Sequence, residues 1–213
     1  MPIKVEDGTK FFEEPADEEY QVGVDPSSGA EDPGAIQVVS KKTGRQVAVY
    51  REFVPVSVLS QKAVDLALYY SRRKKPLIIP EANDSAIIEL LKRAYPNIYF
   101  REVINYREQR KTKRLGFYTN RASKENLIEH FRLLLKKGVV KISDPETFEE
   151  FKTFVWLDEV AKMGAGAQYG NHDDRVMALL LAYWGIKPET PEERMLQERL
   201  SRKPSQKVQY QYL

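Results

Sequence analysis

Apolar residues fall into two rhythms along this chain, and the change from one to the other outlines a fold. Residues 20–24, 35–40 and 46–53 are short β-rich runs divided by Pro26-Ser27-Ser28-Gly29 and by Lys42-Thr43-Gly44-Arg45. Turn residues between runs of strand length predict an antiparallel three-stranded meander whose first strand ends at Asp25. From Ser57 the spacing lengthens. Val58, Leu59, Ala63, Leu66, Ala67 and Tyr70 recur every three or four positions, which predicts a helix over 57–73 that stops at Lys74-Lys75-Pro76. Leu77-Ile78-Ile79 reads as a short buried strand, Ile87, Ile88, Leu90 and Leu91 as one face of a helix over 84–95, and 99–104 as a further strand.

The second half continues this alternation. Ser123 is the expected N-cap of a helix over 124–137 closed by Gly138, with Leu127, Ile128, Phe131, Leu134 and Leu135 on its apolar side. A short strand at 139–142 follows, then a helix opened by Asp144-Pro145 and reaching 154. Residues 162–170 are rich in glycine and alanine and are expected to move, whereas 173–184 are apolar around most of a helical circumference and are expected to be buried. Residues 1–19 lack periodicity and read as a linker or disordered start, and 187–213 as a polar tail. The expected fold class is α/β: one domain over 20–186, with a mixed sheet of an antiparallel meander plus parallel strands, flanked by helices.

Composition narrows the chemistry. With 213 residues and 42% hydrophobic content, the chain can bury one good core. Cysteine is absent, which excludes disulfides, thiolate zinc sites and cysteine nucleophiles and favours an intracellular setting. The longest apolar stretch, 176–186, is well short of the roughly 18 residues of a membrane span, and Met1-Pro2-Ile3-Lys4 does not open a signal peptide. No membrane partner is expected.

The net charge of +3 hides an uneven distribution. The first 34 residues hold Glu6, Asp7, Glu13, Glu14, Asp17, Glu18, Glu19, Glu31 and Asp32. Between 101 and 124 the sign reverses, with Arg101, Arg107, Arg110, Lys111, Lys113, Arg114, Arg121 and Lys124 interleaved with Tyr106, Phe117 and Tyr118. Cations of this density neutralise phosphates, and aromatic faces support sugars or bases. The plainer alternative is a solvated charged loop.

Four acidic residues in three places carry the catalytic reading. Asp25 ends the first strand, Glu81 follows the strand at 77–79, and Asp173-Asp174 begins the buried helix. Singly, each has an ordinary explanation. Asp25 before proline shapes a turn, Glu81 sits near a helix start, Asp173 is a common N-cap type, and His172 beside it is a common structural residue. Together they follow three separate apolar runs, as expected of one site for Mg²⁺ or Mn²⁺, hard ions that prefer oxygen ligands. Two such ions about 4 Å apart stabilise the attacking and leaving oxygens of phosphodiester hydrolysis. Asp173 and Asp174 point about 100° apart, so one of them is expected to face the ions and the other to cap the helix.

The chain resembles the C-terminal nuclease domain of the large terminase subunit of tailed bacteriophages, which has a ribonuclease H-like fold. The likeness rests on Gly23-Val24-Asp25-Pro26-Ser27, on Pro80-Glu81-Ala82-Asn83, and above all on His172-Asp173-Asp174-Arg175-Val176-Met177-Ala178-Leu179-Leu180-Leu181-Ala182. The stretch 119–154 follows the same order, and the likeness spans about residues 20–186. It implies an endonuclease that uses Mg²⁺ or Mn²⁺, in a two-ion site, to cut double-stranded concatemeric viral DNA during packaging in the host cytoplasm. Asp25, Glu81 and Asp174 would be the principal ligands, with Asp173 additional or alternative. Lys124 and the basic stretch before it, Arg107, Arg110, Lys111, Lys113, Arg114 and Arg121, would contact DNA. Large terminase subunits also carry a packaging ATPase, and this chain has no Gly-x4-Gly-Lys-[Ser/Thr] loop. The ATPase domain would therefore be a partner, alongside the portal or small terminase subunit. Three alternatives remain open: a resolvase or transposase core of the same fold, an actin-like or sugar-kinase ATPase, and a DNA-binding module without catalysis.

Overall fold

A six-stranded sheet with helices on both faces forms the core, in a computed structural model that describes residues 1–26, 33–105, 110–160 and 173–187. In chain order the elements are β1 (Lys4–Glu6), β2 (Thr9–Phe11), β3 (Tyr20–Asp25), β4 (Gly34–Ser40), β5 (Gln46–Glu52), α1 (Val56–Tyr69), β6 (Leu77–Pro80), α2 (Ser85–Ala94), β7 (Phe100–Asn105), β8 (Arg110–Leu115), α3 (Arg121–Lys136), α4 (Pro145–Val160) and α5 (Asp174–Tyr183). The spatial order is β1-β2-β5-β4-β3-β6. β3, β4 and β5 form the expected antiparallel meander, and β6 lies parallel to β3. This is the mixed α/β architecture that the apolar pattern predicts.

Alternation of side chains along the strands separates two apolar layers. Val22, Val24, Ile36, Val38, Tyr50 and Ile78 pack with Leu59, Ala63, Leu66 and Ala67 of α1 and with Ile87 and Leu91 of α2. On the opposite face Val39 and Ile79 pack with Leu127, Phe131 and Leu134 of α3, Phe154 of α4, and Val176, Leu179 and Leu180 of α5. α5 is therefore enclosed between sheet and helices. Every residue from Val176 to Tyr183 is buried, as its apolar circumference requires. Gly23 of β3 permits this: a β-carbon there would lie 2.0 Å from the carbonyl oxygen of Ala178 and 2.4 Å from the nitrogen of Ala182.

Four local details differ from expectation. Residues 4–6 and 9–11, within the stretch read as a linker or disordered start, form a hairpin that pairs with β5 through Thr9 opposite Tyr50 and Phe11 opposite Ala48. Three-residue strands are too short to display a period, and β1 is exposed throughout. Residues 139–142 form no strand; a single bridge joins Lys141 to Arg45, held by Gln46 N–H to the Lys141 carbonyl at 2.9 Å. The N-cap of α3 is Asn120, three residues before Ser123. Its side chain accepts from the Ser123 N–H at 2.9 Å while the Ser123 hydroxyl accepts from the Asn120 N–H at 2.8 Å, a reciprocal capping box. Finally, β7 leaves the main sheet and pairs with β8, a strand with five polar residues of six, as a separate two-stranded ribbon.

Residues 162–170, His172, Arg107 and the tail 188–213 lie outside the described residues. Among those described, no helix is long and apolar enough to cross a membrane.

Candidate active site

Strand register brings two of the four expected acids, Asp25 and Glu81, to one face, and α5 brings a third, Asp174, down to it. Asp25 pairs with Ala35 of β4, and Ala35 pairs with Arg51 of β5, so the side chains of Asp25 and Arg51 emerge on the same side two strands apart. β6 is aligned with β3 through Gly23 opposite Ile79. Glu81, two positions beyond Ile79, continues on that side. The Glu81 N–H donates to the Val24 carbonyl at 2.9 Å, which fixes the two strand ends next to each other. This is the face that α5 covers, and Asp174 in its first turn reaches down to Arg51.

The acids differ in environment. Asp25 and Asp174 are each only 6% exposed, while Glu81 is half-buried. Asp174 Oδ2 accepts from Arg51 Nη2 at 3.0 Å and Nε at 3.4 Å. Asp173, at the N-cap, makes no side-chain cap bond; its Oδ2 instead accepts from Lys124 Nζ at 3.3 Å, and that ammonium lies 5.5 Å over the Phe154 ring. The two aspartates thus diverge, Asp174 toward the sheet and Asp173 toward α3.

A layer of charge behind α5 was not anticipated. Arg175 pairs with Glu146 and Glu150 of α4, and the Glu150 Oε1 accepts from the Val176 N–H at 3.1 Å, so a carboxylate from α4 satisfies the start of α5. Burial raises the Glu150 carboxyl above the ordinary carboxylate range, opposed by the Val176 N–H and by the charges of Arg175 and Arg51. Asp144 accepts from the Thr147 N–H at 3.0 Å to open α4, and Lys10 of β2 joins it at 3.3 Å. Gln37 completes the support, donating to the Arg175 carbonyl at 3.2 Å and to the Thr147 hydroxyl at 3.2 Å. The spacing Glu146 to Glu150 on a helix opposite Arg175 was available as a signal. Nothing local marked Arg51.

The basic stretch resolves into two groups. Arg110, Lys111, Lys113 and Arg114 lie on β8, all exposed; Lys111 meets Glu102 at 3.0 Å and Lys113 lies 4.2 Å over the Phe100 ring. Arg121 and Lys124 belong to the first turn of α3, where Arg121 meets Glu125 at 3.2 Å. The ribbon is anchored to the sheet beside Glu81: Ala82 N–H donates to the Phe117 carbonyl at 2.7 Å, Phe117 N–H to the Pro80 carbonyl at 2.8 Å, and Arg101 Nη1 to the Gly116 carbonyl at 2.8 Å. Asn83 and Thr119 add a reciprocal pair of bonds at 3.0 and 3.1 Å.

The donor chemistry at the shared face is all-oxygen and anionic, suited to hard divalent ions. Among the described residues no three histidine, cysteine, aspartate or glutamate side chains are grouped so as to hold an ion. Arg51 stands at Asp174 instead.

No family model matches the chain, and no curated protein matches it in sequence. Solved structures do. The large terminase nuclease of thermophilic phage G20c is 22% identical, with a TM-score of 0.66 over 88% of this chain and 93% of that one. Its magnesium-bound structure gives 0.65 over 87% and 91%. The large terminase nuclease domain of Thermus phage P74-26 is 23% identical, with a TM-score of 0.59 over 86% and 88%. The human cytomegalovirus terminase nuclease domain, manganese-soaked and inhibitor-bound, is 14% identical, with 0.51 over 80% and 83%. The chain has the fold of these large terminase nuclease domains.

Proposed function

We propose that this protein is a metal-dependent endonuclease of the terminase type, cutting double-stranded viral DNA concatemers during genome packaging in the host cytoplasm. The observation that carries the reading is the placement of Asp25 and Glu81 on the sheet face that α5 covers, with Asp174 in the first turn of α5 meeting that face at Arg51, on the fold of nucleases solved with magnesium or manganese. Asp25, Glu81 and Asp174 would hold Mg²⁺ or Mn²⁺, Asp25 from between the other two, with Asp173 as an additional ligand. Bound there, a pair of such ions would supply Lewis-acid chemistry, activating water for attack on phosphorus and offsetting charge on the leaving oxygen.

The remaining work falls to the protein. The Glu81 N–H bond to Val24 keeps two carboxylates on adjacent strand ends, and α4, through Glu150, holds the start of α5 against the sheet. Arg110, Lys111, Lys113 and Arg114 on the ribbon, Arg121 and Lys124 on α3, and Arg107 in the stretch between β7 and β8 hold the DNA backbone by charge. Contacts of this kind position the duplex without reading bases, so cutting is sequence-tolerant and falls as salt rises. The packaging ATPase domain, and the portal or small terminase subunit, are the protein partners of such a nuclease.

The test is plasmid cleavage with Mg²⁺, Mn²⁺ or EDTA, comparing wild type with Asp25→Ala and Asp174→Ala. Metal-dependent cutting that vanishes in both variants while each stays folded at the assay temperature supports the reading. DNA binding without cleavage under either metal, including after the ATPase domain is added, overturns it in favour of a binding module.

A further inference from the structure

We infer that Arg51 is a resident counter-cation of the carboxylate site, holding Asp174 in the ion's place and setting how tightly a divalent ion binds. The inference rests on the reading of Asp25, Glu81 and Asp174 as the metal site, and it concerns how that site is regulated. Arg51 donates to one oxygen of Asp174 from two nitrogens, at 3.0 and 3.4 Å, with its side chain 17% exposed and that of Asp174 9% exposed. A pair so enclosed is costly to break by removing one member, because the other charge is left stranded. Register puts Arg51 on the same face as Asp25, with only Ala35 between them. That guanidinium therefore offsets part of the charge that these buried carboxylates bring to the face.

An arriving divalent ion meets a site whose charge is already partly neutralised. To use both oxygens of Asp174 it must turn Arg51 aside. The Arg51 charge also acts on Glu150, the buried carboxylate that caps α5. Ion binding is thus an exchange of one cation for another, weaker than the carboxylates alone would give. Removing the guanidinium takes that competitor away, so the apo fold becomes less stable and the ion binds more tightly.

The experiment is calorimetric titration of the intact chain with Mn²⁺, without DNA, for wild type, Arg51→Gln, Arg51→Lys and Asp174→Asn, with melting temperatures for each. Arg51→Gln is expected to bind Mn²⁺ about tenfold more tightly, within the usual span of coupling between sites, and to gain more in melting temperature on saturation. Arg51→Lys is expected to stay near wild type. Equal or weaker binding by Arg51→Gln, while Asp174→Asn loses binding, overturns the inference and leaves the metal site standing. Wild-type binding by Asp174→Asn overturns both. Should Arg51→Gln fail to fold, the Nε–Hε resonance of Arg51 in the wild type decides: it should shift saturably with Mg²⁺, and a resonance that stays fixed through saturation refutes the exchange.

Discussion

Gly23 of β3 lies so close under Ala178 of α5 that the space for a single methyl group is filled by the Ala178 carbonyl oxygen, 2.0 Å from where a β-carbon would stand. Two backbones in contact cannot yield as side chains do. Gly23→Ala is expected to lift α5 from the sheet and destabilise the fold by about 1–3 kcal/mol, as overpacking does elsewhere. Urea denaturation reads the loss. Cleavage should fall as well, because Asp174 rides on the displaced helix.

The ribbon makes a separable electrostatic prediction. Replacing Arg110, Lys111, Lys113 and Arg114 with alanine should weaken DNA binding at low salt and lower the slope of log K against log salt by about 0.9 for each phosphate no longer neutralised. Anisotropy titrations over a range of salt measure it. An unaltered slope would make these residues a solvated charged surface. The fold itself should not suffer, since all four are exposed.

α3 carries Lys124 to its place beside Asp173, and its first turn depends on the Asn120 and Ser123 capping box. Asn120→Ala is expected to cost about 1 kcal/mol, the usual effect of losing an N-cap. Ser123→Ala removes the reciprocal half and should cost less than the same amount again, because each bond supports the other. Comparing the double variant with the singles by urea denaturation checks that non-additivity.

Why some of this was readable and some not follows from where each signal resides. The places of Asp25 and Glu81 at strand ends were legible because each follows an apolar run of strand length. The buried character of α5 was equally plain, since Val176 to Ala182 has no polar face. β7 was recognisable as a strand but not as a deserter from the main sheet, because its pairing with β8 alone is a matter of long-range register that no local pattern displays. Arg51 was illegible. It sits at the polar end of β5, and its partner is 123 positions away, so only the register of three strands and the seating of α5 bring the two together.

Acid should act on the other end of the molecule. Glu19 accepts from Lys74 at 2.5 Å and Lys41 at 3.0 Å, and these partners, Lys74 first, hold its carboxyl at about 2. A depressed carboxyl contributes stability above the ordinary carboxylate range and loses it as pH falls toward the depressed value. Wild type should therefore exceed Glu19→Gln in stability at neutral pH, with the margin narrowing below the ordinary carboxylate range and closing near pH 2. Denaturation midpoints across that window provide the check. The margin should be modest, because Lys74 is exposed and Lys41 only half-buried.

The short hairpin of β1 and β2 has a practical consequence for anyone shortening the chain. It occupies the outer hydrogen-bonding groups of β5 through Thr9, Lys10 and Phe11, and Lys10 also ties it to Asp144 and Glu146 at the head of α4. Trimming to Tyr20, the first residue of the next strand, would uncover a row of unpaired backbone donors and acceptors beside apolar Val47 and Val49. An open strand of that kind templates its own addition. The trimmed protein would retain every acid of the site and still be prone to aggregate, so a loss of activity in it would report on solubility before it reported on catalysis.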